Sequence, residues 1–128
     1  MTKVGDPFII LGKLFTFMVN ADRVKVVLLM DGRSVISDVQ EAVDRDTGER
    51  KAWIFNFPYQ VTYDTPDMDD AGIVLDPEVK IYYQPFCPLT ADTQMAINTS
   101  AVVSIMEPVP SLRDTYISNV RKMGGEVE

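Results

Sequence analysis

The stretch VKVVLLMDGRSVISDVQEAV, residues Val24 to Val43, decides the fold. Asp31-Gly32 separates two apolar runs, and this dipeptide is typical of a tight β-hairpin turn because glycine accepts the positive φ that such turns need. The first arm, Val24 to Met30, is almost wholly apolar, which predicts a strand covered on both faces. The second arm alternates, which predicts a strand with one set of side chains on one face, namely Val35, Ser37, Val39, Glu41 and Val43.

Composition limits the class of protein. The chain has 128 residues, enough for one domain with its own core, and 46% hydrophobic and 24% charged residues are typical of a soluble globular chain. The net charge of -7 repels nucleic-acid phosphates, so any RNA site would have to be a local patch. There is no histidine, so the commonest general base and metal ligand are missing. We therefore expect a protein that is not an enzyme, with no cofactor and no metal site.

The single cysteine, Cys87, allows no internal disulfide and is typical of a reducing compartment. The sequence shows no secretory signal and no apolar run near the roughly 20 residues that cross a bilayer. These features lead us to expect a cytoplasmic protein with no membrane contact.

Residues 1–22 form an N-terminal extension with two possible structures. Asp6-Pro7 is a good helix start, and an apolar stripe follows it at helical spacing, made of Phe8, Leu11, Phe15, Met18 and Val19. Gly12 and several β-forming residues favour a strand instead, but we prefer the helix. The stripe is suited to core packing or, alternatively, to contact with a subunit or partner.

The rest of the chain predicts three more strand segments and a C-terminal helix. Proline at position 58 should break or bulge the first of these strands, and the last should kink near residues 98–100. Ser111 should cap the helix, and the tail 124–128 should fray. The segments are Ala52–Tyr63, Val79–Phe86, Gln94–Glu107 and the helix 111–123.

Residues 64–78 hold six acidic residues and no basic one. A loop of this length inside a compact domain is often functional. Calcium binding is one candidate role, but the acids do not reproduce EF-hand spacing and the bidentate glutamate is missing. We therefore expect an exposed acidic loop that keeps surfaces apart or docks on a basic partner.

Five bent strands in this order predict a mainly β fold: a small, strongly curved, partly open barrel. The hairpin resembles the first motif of the Sm-like fold, and the last strand stands where the second motif of that family lies. The likeness is closer to Sm-like proteins of cyanobacterial tailed phages, which share five short patterns in the same order. Here those patterns read LLMDGRSVISDV, NFPYQV (56–61), PFCPL (85–89), SAVVSIMEP (100–108) and LRDTY (112–116).

The resemblance implies assembly. Sm-like subunits close into rings, usually of five to seven, by pairing the edge of the fourth strand with the fifth strand of a neighbour, so we expect a homo-oligomeric ring here, for example a pentamer. An open sheet has two bare edges that invite such pairing, although the terminal helices of the same subunit are an alternative cover. The interface residues expected on these two strands are Val79, Ile81, Tyr83, Val102, Val103 and Ile105.

The resemblance also raises RNA binding, which Sm-like rings achieve with side chains after the second strand and in the second motif. The matching turn, Asp44 to Gly48, lacks the usual Asn, and the second-motif corner at 98–100 lacks a basic residue. The remaining candidates are Arg45, Arg50 and Lys51 for phosphates, and Asn98 and Ser100 for base edges. We therefore expect a phage-encoded structural or adaptor ring, in the host cytoplasm or the virion, with an RNA-binding ring as the alternative.

Overall fold

A computed structural model describes the backbone of residues 8–10 and all atoms of residues 18–64 and 80–128. These residues form seven strands, two short 3-10 turns (Ala21–Arg23 and Thr99–Ala101) and one α-helix, so the prediction of a mainly β protein is confirmed. The elements are β1 (Phe8–Ile10), β2 (Val24–Leu29), β3 (Ser34–Asp44), β4 (Arg50–Tyr63), β5 (Ile81–Pro85), β6 (Gln94–Asn98), β7 (Val102–Met106) and α1 (Pro110–Lys122).

All of these strands belong to one antiparallel sheet in the order β5-β4-β3-β2-β7. The two long central strands, β3 and β4, each take a second short partner, because β1 pairs with the end of β3 and β6 pairs with the first half of β4. The described strands leave the sheet open and do not close it into a barrel, since β5 and β7 each pair with one neighbour.

The hairpin forms as predicted, with β2 and β3 paired on either side of a turn in which Gly32 has a φ of +89°. The burial of its arms differs from the prediction. β2 is only partly buried, whereas β3 has consecutive buried residues from Val35 to Gln40. The reason is position: β3 lies at the centre of the sheet and receives packing on both faces.

Of the break or bulge predicted at Pro58, the structure shows the bulge, within one continuous strand. The register between β3 and β4 shifts at Ser37, where two residues of β4, Phe57 and Pro58, face one residue of β3. Phe57 has a φ of +50°, a left-handed conformation that a residue with a bulky side chain rarely adopts. The bulge divides β4 into a half that pairs with β6 and a half that pairs with β5.

The predicted final strand kinks where expected, and the kink separates two strands with different partners. The 3-10 turn Thr99–Ala101 ends β6, which pairs with β4, and leads to β7, which pairs with β2. The chain thereby crosses from one end of the strand order to the other.

The N-terminal helix is not found at residues 8–10, which form β1 against Ala42–Asp44. Two β-branched residues in succession favour this strand where the edge of β3 is open to pairing. Residues 1–7 and 11–17 of the N-terminal extension, which include Leu11 and Phe15 of the stripe, and residues 65–78 of the predicted acidic loop lie outside the described part of the chain.

Helix α1 begins with Pro110 at its first position, and Val109, not Ser111, is its N-cap. The tail after the helix does not fray. Val19 pairs with Val127 in a parallel bridge, in which the Val19 amide donates to the Glu126 carbonyl at 2.8 Å and the Glu128 amide donates to the Val19 carbonyl at 2.8 Å. The sequence did not predict this bridge because Val19 and Val127 are 108 positions apart in the chain.

The core has two parts, one on each face of the sheet. Tyr116 and Val120 of α1 cover the first, together with Val19, Val24, Ile36 and Val61. The second lies on the opposite face and contains Val27, Leu29, Val35, Val39 and Phe55. Burial of these apolar side chains is the main stabilising term of the fold.

The hydroxyl of Tyr116 joins the helix to the bulge. It accepts the backbone amide of Asp38 at 3.1 Å and donates to the carbonyl of Asn56 at 2.8 Å. Asp38 and Asn56 are register partners on β3 and β4, so the hydroxyl bridges the ladder immediately beside its irregular step. Burial raises the pKa of Tyr116 far above its ordinary value, which keeps the hydroxyl protonated as a donor.

We predict that Tyr116→Phe lowers the free energy of unfolding by about 1–3 kcal/mol, because it removes the hydrogen-bond partner of the buried Asp38 amide, whereas the Asn56 carbonyl keeps the Ser37 hydroxyl as a donor at 2.8 Å. Urea unfolding followed by tryptophan fluorescence measures the change. Tyr59→Phe is the matched control, since Tyr59 packs edge-on against Tyr116 at 6.1 Å and its ring survives the substitution. Equal losses in the two variants would contradict the bridging role of the Tyr116 hydroxyl.

Candidate functional site

The outer edge of β5 is unpaired by any described residue. The Asp64 amide donates to the Lys80 carbonyl at 3.2 Å, and the Phe86 amide donates to the Pro58 carbonyl at 3.1 Å. Hydrogen bonding alternates along an antiparallel strand, so the even-numbered residues between these two pair with β4. The backbone N–H and C=O of Ile81 and Tyr83 therefore point away from the sheet.

The side chains of β5 divide between the core and the surface. Tyr83 is half-buried and packs against the first core, where burial raises the pKa of its hydroxyl. Ile81 and Tyr82 are 39% and 50% exposed. Val79, also predicted for the interface, lies outside the described residues. Of the residues predicted here, Ile81 is therefore the one that the structure places at the surface.

Strand β7 forms the opposite end of the strand order and pairs only with β2 among the described strands. Val103 is 54% exposed and Met106 is also exposed. Val102 and Ile105 instead pack against the second core. Sequence analysis grouped these residues because alternation over so short a strand does not say which face is inward.

The two turns considered for RNA lie at the same end of the sheet. Ala52 is the register partner of Asn98, which places Lys51 beside the 3-10 turn Thr99–Ala101. Asn98 caps that turn: its side-chain oxygen accepts the Ser100 amide at 3.0 Å and the Ser100 hydroxyl at 2.9 Å. The polar groups of Asn98 and Ser100 are thus engaged with each other.

Near these two turns, which we call the corner, two of the three basic residues form ion pairs with acidic side chains. The Arg50 guanidinium lies 2.9 Å from a Glu41 carboxylate oxygen and 4.2 Å from the centre of the Trp53 ring. The ammonium of Lys51 lies 3.3 Å from Glu49. Exposed ion pairs of this kind contribute little stability, but they offset the positive charge that a phosphate would need.

The third basic residue, Arg45, is exposed in the turn between β3 and β4. Asp44 organises that turn by accepting the amides of Asp46 and Thr47 at 2.8 and 2.9 Å. These backbone hydrogen bonds, that of Thr47 first, hold the pKa of Asp44 below its ordinary value. The turn therefore stays negatively charged at neutral pH, and the corner as a whole is not basic.

Sequence analysis missed a buried polar cluster at the bulge. Asp38 is fully buried, and its carboxylate accepts the Arg23 guanidinium at 2.8 Å and the Asn20 amide at 2.9 Å. The side chain of Asn56 extends the cluster by donating to Gln40 at 2.8 Å and accepting from Gln94 at 2.8 Å. Asp38 alternates with valines along β3, a pattern that predicts a solvated side chain, so no sequence signal pointed to its burial.

Metal-binding clusters and membrane-spanning helices are absent from the described residues. No group of three or more cysteine, aspartate or glutamate side chains there is arranged to hold a metal ion. No helix in that part of the chain is long and apolar enough to cross a membrane.

The chain belongs to DUF6561, a family of unknown function, whose family model matches residues 22–121. The match begins at the turn before β2 and ends within α1, so it includes the hairpin, the bulge and both edge strands β5 and β7. No curated protein matches the chain.

We predict that Arg23→Met lowers the free energy of unfolding by about 3–5 kcal/mol, because it leaves the buried carboxylate of Asp38 without its charged partner. Chemical denaturation measures the loss. Arg45→Met makes the same chemical change at an exposed turn and should alter stability by less than about 0.5 kcal/mol. A loss of similar size in the two variants would show that the cluster does not depend on Arg23.

Proposed function

We propose that this chain is a phage-encoded Sm-like protein that forms a homo-oligomeric ring by edge-strand pairing and acts as a structural or adaptor component. The observation that carries the proposal is the pair of open edges, β5 and β7, at the two ends of the described strand order. An open edge presents backbone donors and acceptors that pair readily with another strand. Pairing β5 of one subunit with β7 of the next is head-to-tail, and it ends in a ring when the rotation closes.

The side chains on these edges support pairing with another copy. Ile81 and Tyr82 on β5 and Val103 and Met106 on β7 are exposed, and neither strand carries a charged residue. Charged side chains commonly protect edge strands from association. Their absence from both edges is consistent with strands that are covered in an assembly.

A structural role is supported by the way the polar groups are used. The buried Arg23–Asp38 pair and the hydrogen bonds of Asn56 stabilise the bulge. Arg50 and Lys51 form ion pairs with acidic side chains. In this proposal a protein partner binds the finished ring through the N-terminal stripe or the acidic loop. Both segments lie mainly outside the described residues, so this contact stays an expectation from sequence.

An RNA-binding ring is the second candidate. The observation that favours it is the meeting of the two turns, where Lys51 lies beside Asn98 and exposed Arg45 lies in the adjoining turn. The observations against it are the ion pairs of Arg50 and Lys51, the charged Asp44 and the net charge of -7 on every subunit. Phosphate binding depends on positive charge, so we place this function second.

We predict that Ile81→Pro converts the assembly into single subunits at micromolar concentration. The Ile81 N–H points away from β4 and pairs with no described residue of the same subunit, so proline removes a donor that the proposed neighbour would use. Light scattering coupled to size-exclusion chromatography measures the mass. The natural Pro85 also lies at a position of β5 whose backbone nitrogen points away from β4, which indicates that the strand tolerates proline at such positions.

Ile81→Thr is the control, because threonine keeps the N–H and a β-branched side chain. It should retain the wild-type mass, and circular dichroism should show folded protein in both variants. A monomeric wild type at high concentration, or an Ile81→Pro variant with the full mass, would contradict ring formation by edge pairing.

We predict no binding of fluorescent oligo-U or oligo-A at tens of micromolar protein in low salt, because the corner is acidic. Fluorescence anisotropy measures this. Binding that weakens with added salt and is lost in Arg45→Glu would instead favour the RNA-binding ring. Arg121→Glu, at the end of α1, is the control for a general charge effect.

A further inference from the structure

A cavity of about 410 Å³ lies beside the bulge, between the loop that joins β5 to β6 and the end of α1. Its walls are mainly aromatic and aliphatic, and a cavity of this size is within the range that holds a bound group. Its lining includes Phe57, Pro58, Tyr59, Phe86, Met95 and Met123. The left-handed conformation of Phe57 places this wall at a strained point of the backbone, a feature that often accompanies binding sites.

The same loop carries an apolar side chain that the subunit leaves in solvent. Leu89 is 94% exposed, the highest value among the large hydrophobic residues that the structure describes as exposed. Pro88 and Thr90, its neighbours in the chain, line the cavity, whereas Leu89 does not. The loop therefore presents a projecting leucine directly beside an apolar cavity.

Charges on the two sides of the cavity are complementary. Asp92 lines it on the loop side and is exposed, and no described residue forms an ion pair with it. On the helix side, exposed Arg121 and Lys122 come directly before Met123, which lines the cavity. A second copy turned by 180° would bring the acid of each loop toward the cations of the other helix.

We propose that Leu89 of one copy inserts into the cavity of a second copy, and that the contact is reciprocal about a two-fold axis. Because Leu89 lies directly beside the cavity, a two-fold axis between two copies lets each copy supply both the leucine and the cavity. This inference rests on the proposed ring. Neighbours in a ring of five to seven are not related by a two-fold axis, so the contact joins two rings into an assembly with an even number of subunits.

The size of the contact explains why a ring is needed. A stable pair of proteins buries about 1,600 Å² in total, far more than one leucine and its surroundings supply from each copy. The same contact repeated around two facing rings is strengthened by multivalency, because all later contacts form within one complex. The leucine contact is therefore expected to hold rings together but not single subunits.

Leu89→Asp should halve the mass measured by light scattering and native mass spectrometry, leaving a single intact ring. Met30→Asp is the control, because Met30 is 69% exposed at the hairpin turn and the same charge there should leave the mass unchanged. The Ile81→Pro variant distinguishes the two proposals, since it should break the ring itself. A wild-type mass that corresponds to one ring, or an unchanged mass in Leu89→Asp, would overturn this inference and leave the ring intact.

Cys87 supplies a second measurement, because it is half-buried and lines the cavity. Alkylation of Cys87 by iodoacetamide should be at least tenfold faster in Leu89→Asp than in the wild type, since the inserted leucine covers the cavity. Met30→Asp should react at the wild-type rate. Equal rates in all three proteins would show that no second copy occupies the cavity, and a monomeric wild type would overturn both this inference and the ring.

Discussion

The hydroxyl of Tyr116 is the single contact on which the shape of the sheet most depends. It satisfies the Asp38 amide and the Asn56 carbonyl at the step where β3 and β4 change register. Without the hydroxyl, the buried Asp38 amide would lose its partner at a cost comparable to a lost hydrogen bond, whereas the Asn56 carbonyl would keep the Ser37 hydroxyl. With the hydroxyl in place, β4 can bulge at Phe57 and still remain one strand. Helix α1 thus stabilises the bulge by hydrogen bonding as well as by covering the core.

The buried Asp38–Arg23 pair favours one register of β3 against β4 at the bulge. Removing a carboxylate from water is costly, and an ion pair with further hydrogen bonds about offsets that cost without adding much stability. Its effect is to exclude alternatives, because a slip of one residue along β3 would turn Asp38 to the opposite face and away from Arg23. The cluster therefore fixes the register of the two central strands, and through it the positions of β5 and β6.

Sequence patterns predicted the features that depend on neighbouring residues. Asp31-Gly32, the irregularity at Pro58 and the kink near residue 98 were all found, because turn and bulge chemistry is local. The patterns failed where a distant partner decides: Phe8–Ile10 pairs with β3, and Val127 pairs with Val19. Lys51 lies beside the turn at 99–101, but Arg50 and Lys51 form ion pairs with Glu41 and Glu49 that composition alone could not predict.

The bulge in β4 also affects where another subunit can associate. The bulge divides β4 into a half that pairs with β5 and a half that pairs with β6. The strand order therefore ends at β5 on one side, and it ends at β7, beside β2, on the other. The open edges of β5 and β7 therefore belong to strands at opposite ends of the strand order, an arrangement that suits head-to-tail contact. The loop between β5 and β6 exists because β4 has two partners, and it carries Leu89 beside the cavity. One backbone irregularity thus generates both surfaces proposed for assembly, and a change that removes the bulge should affect both together.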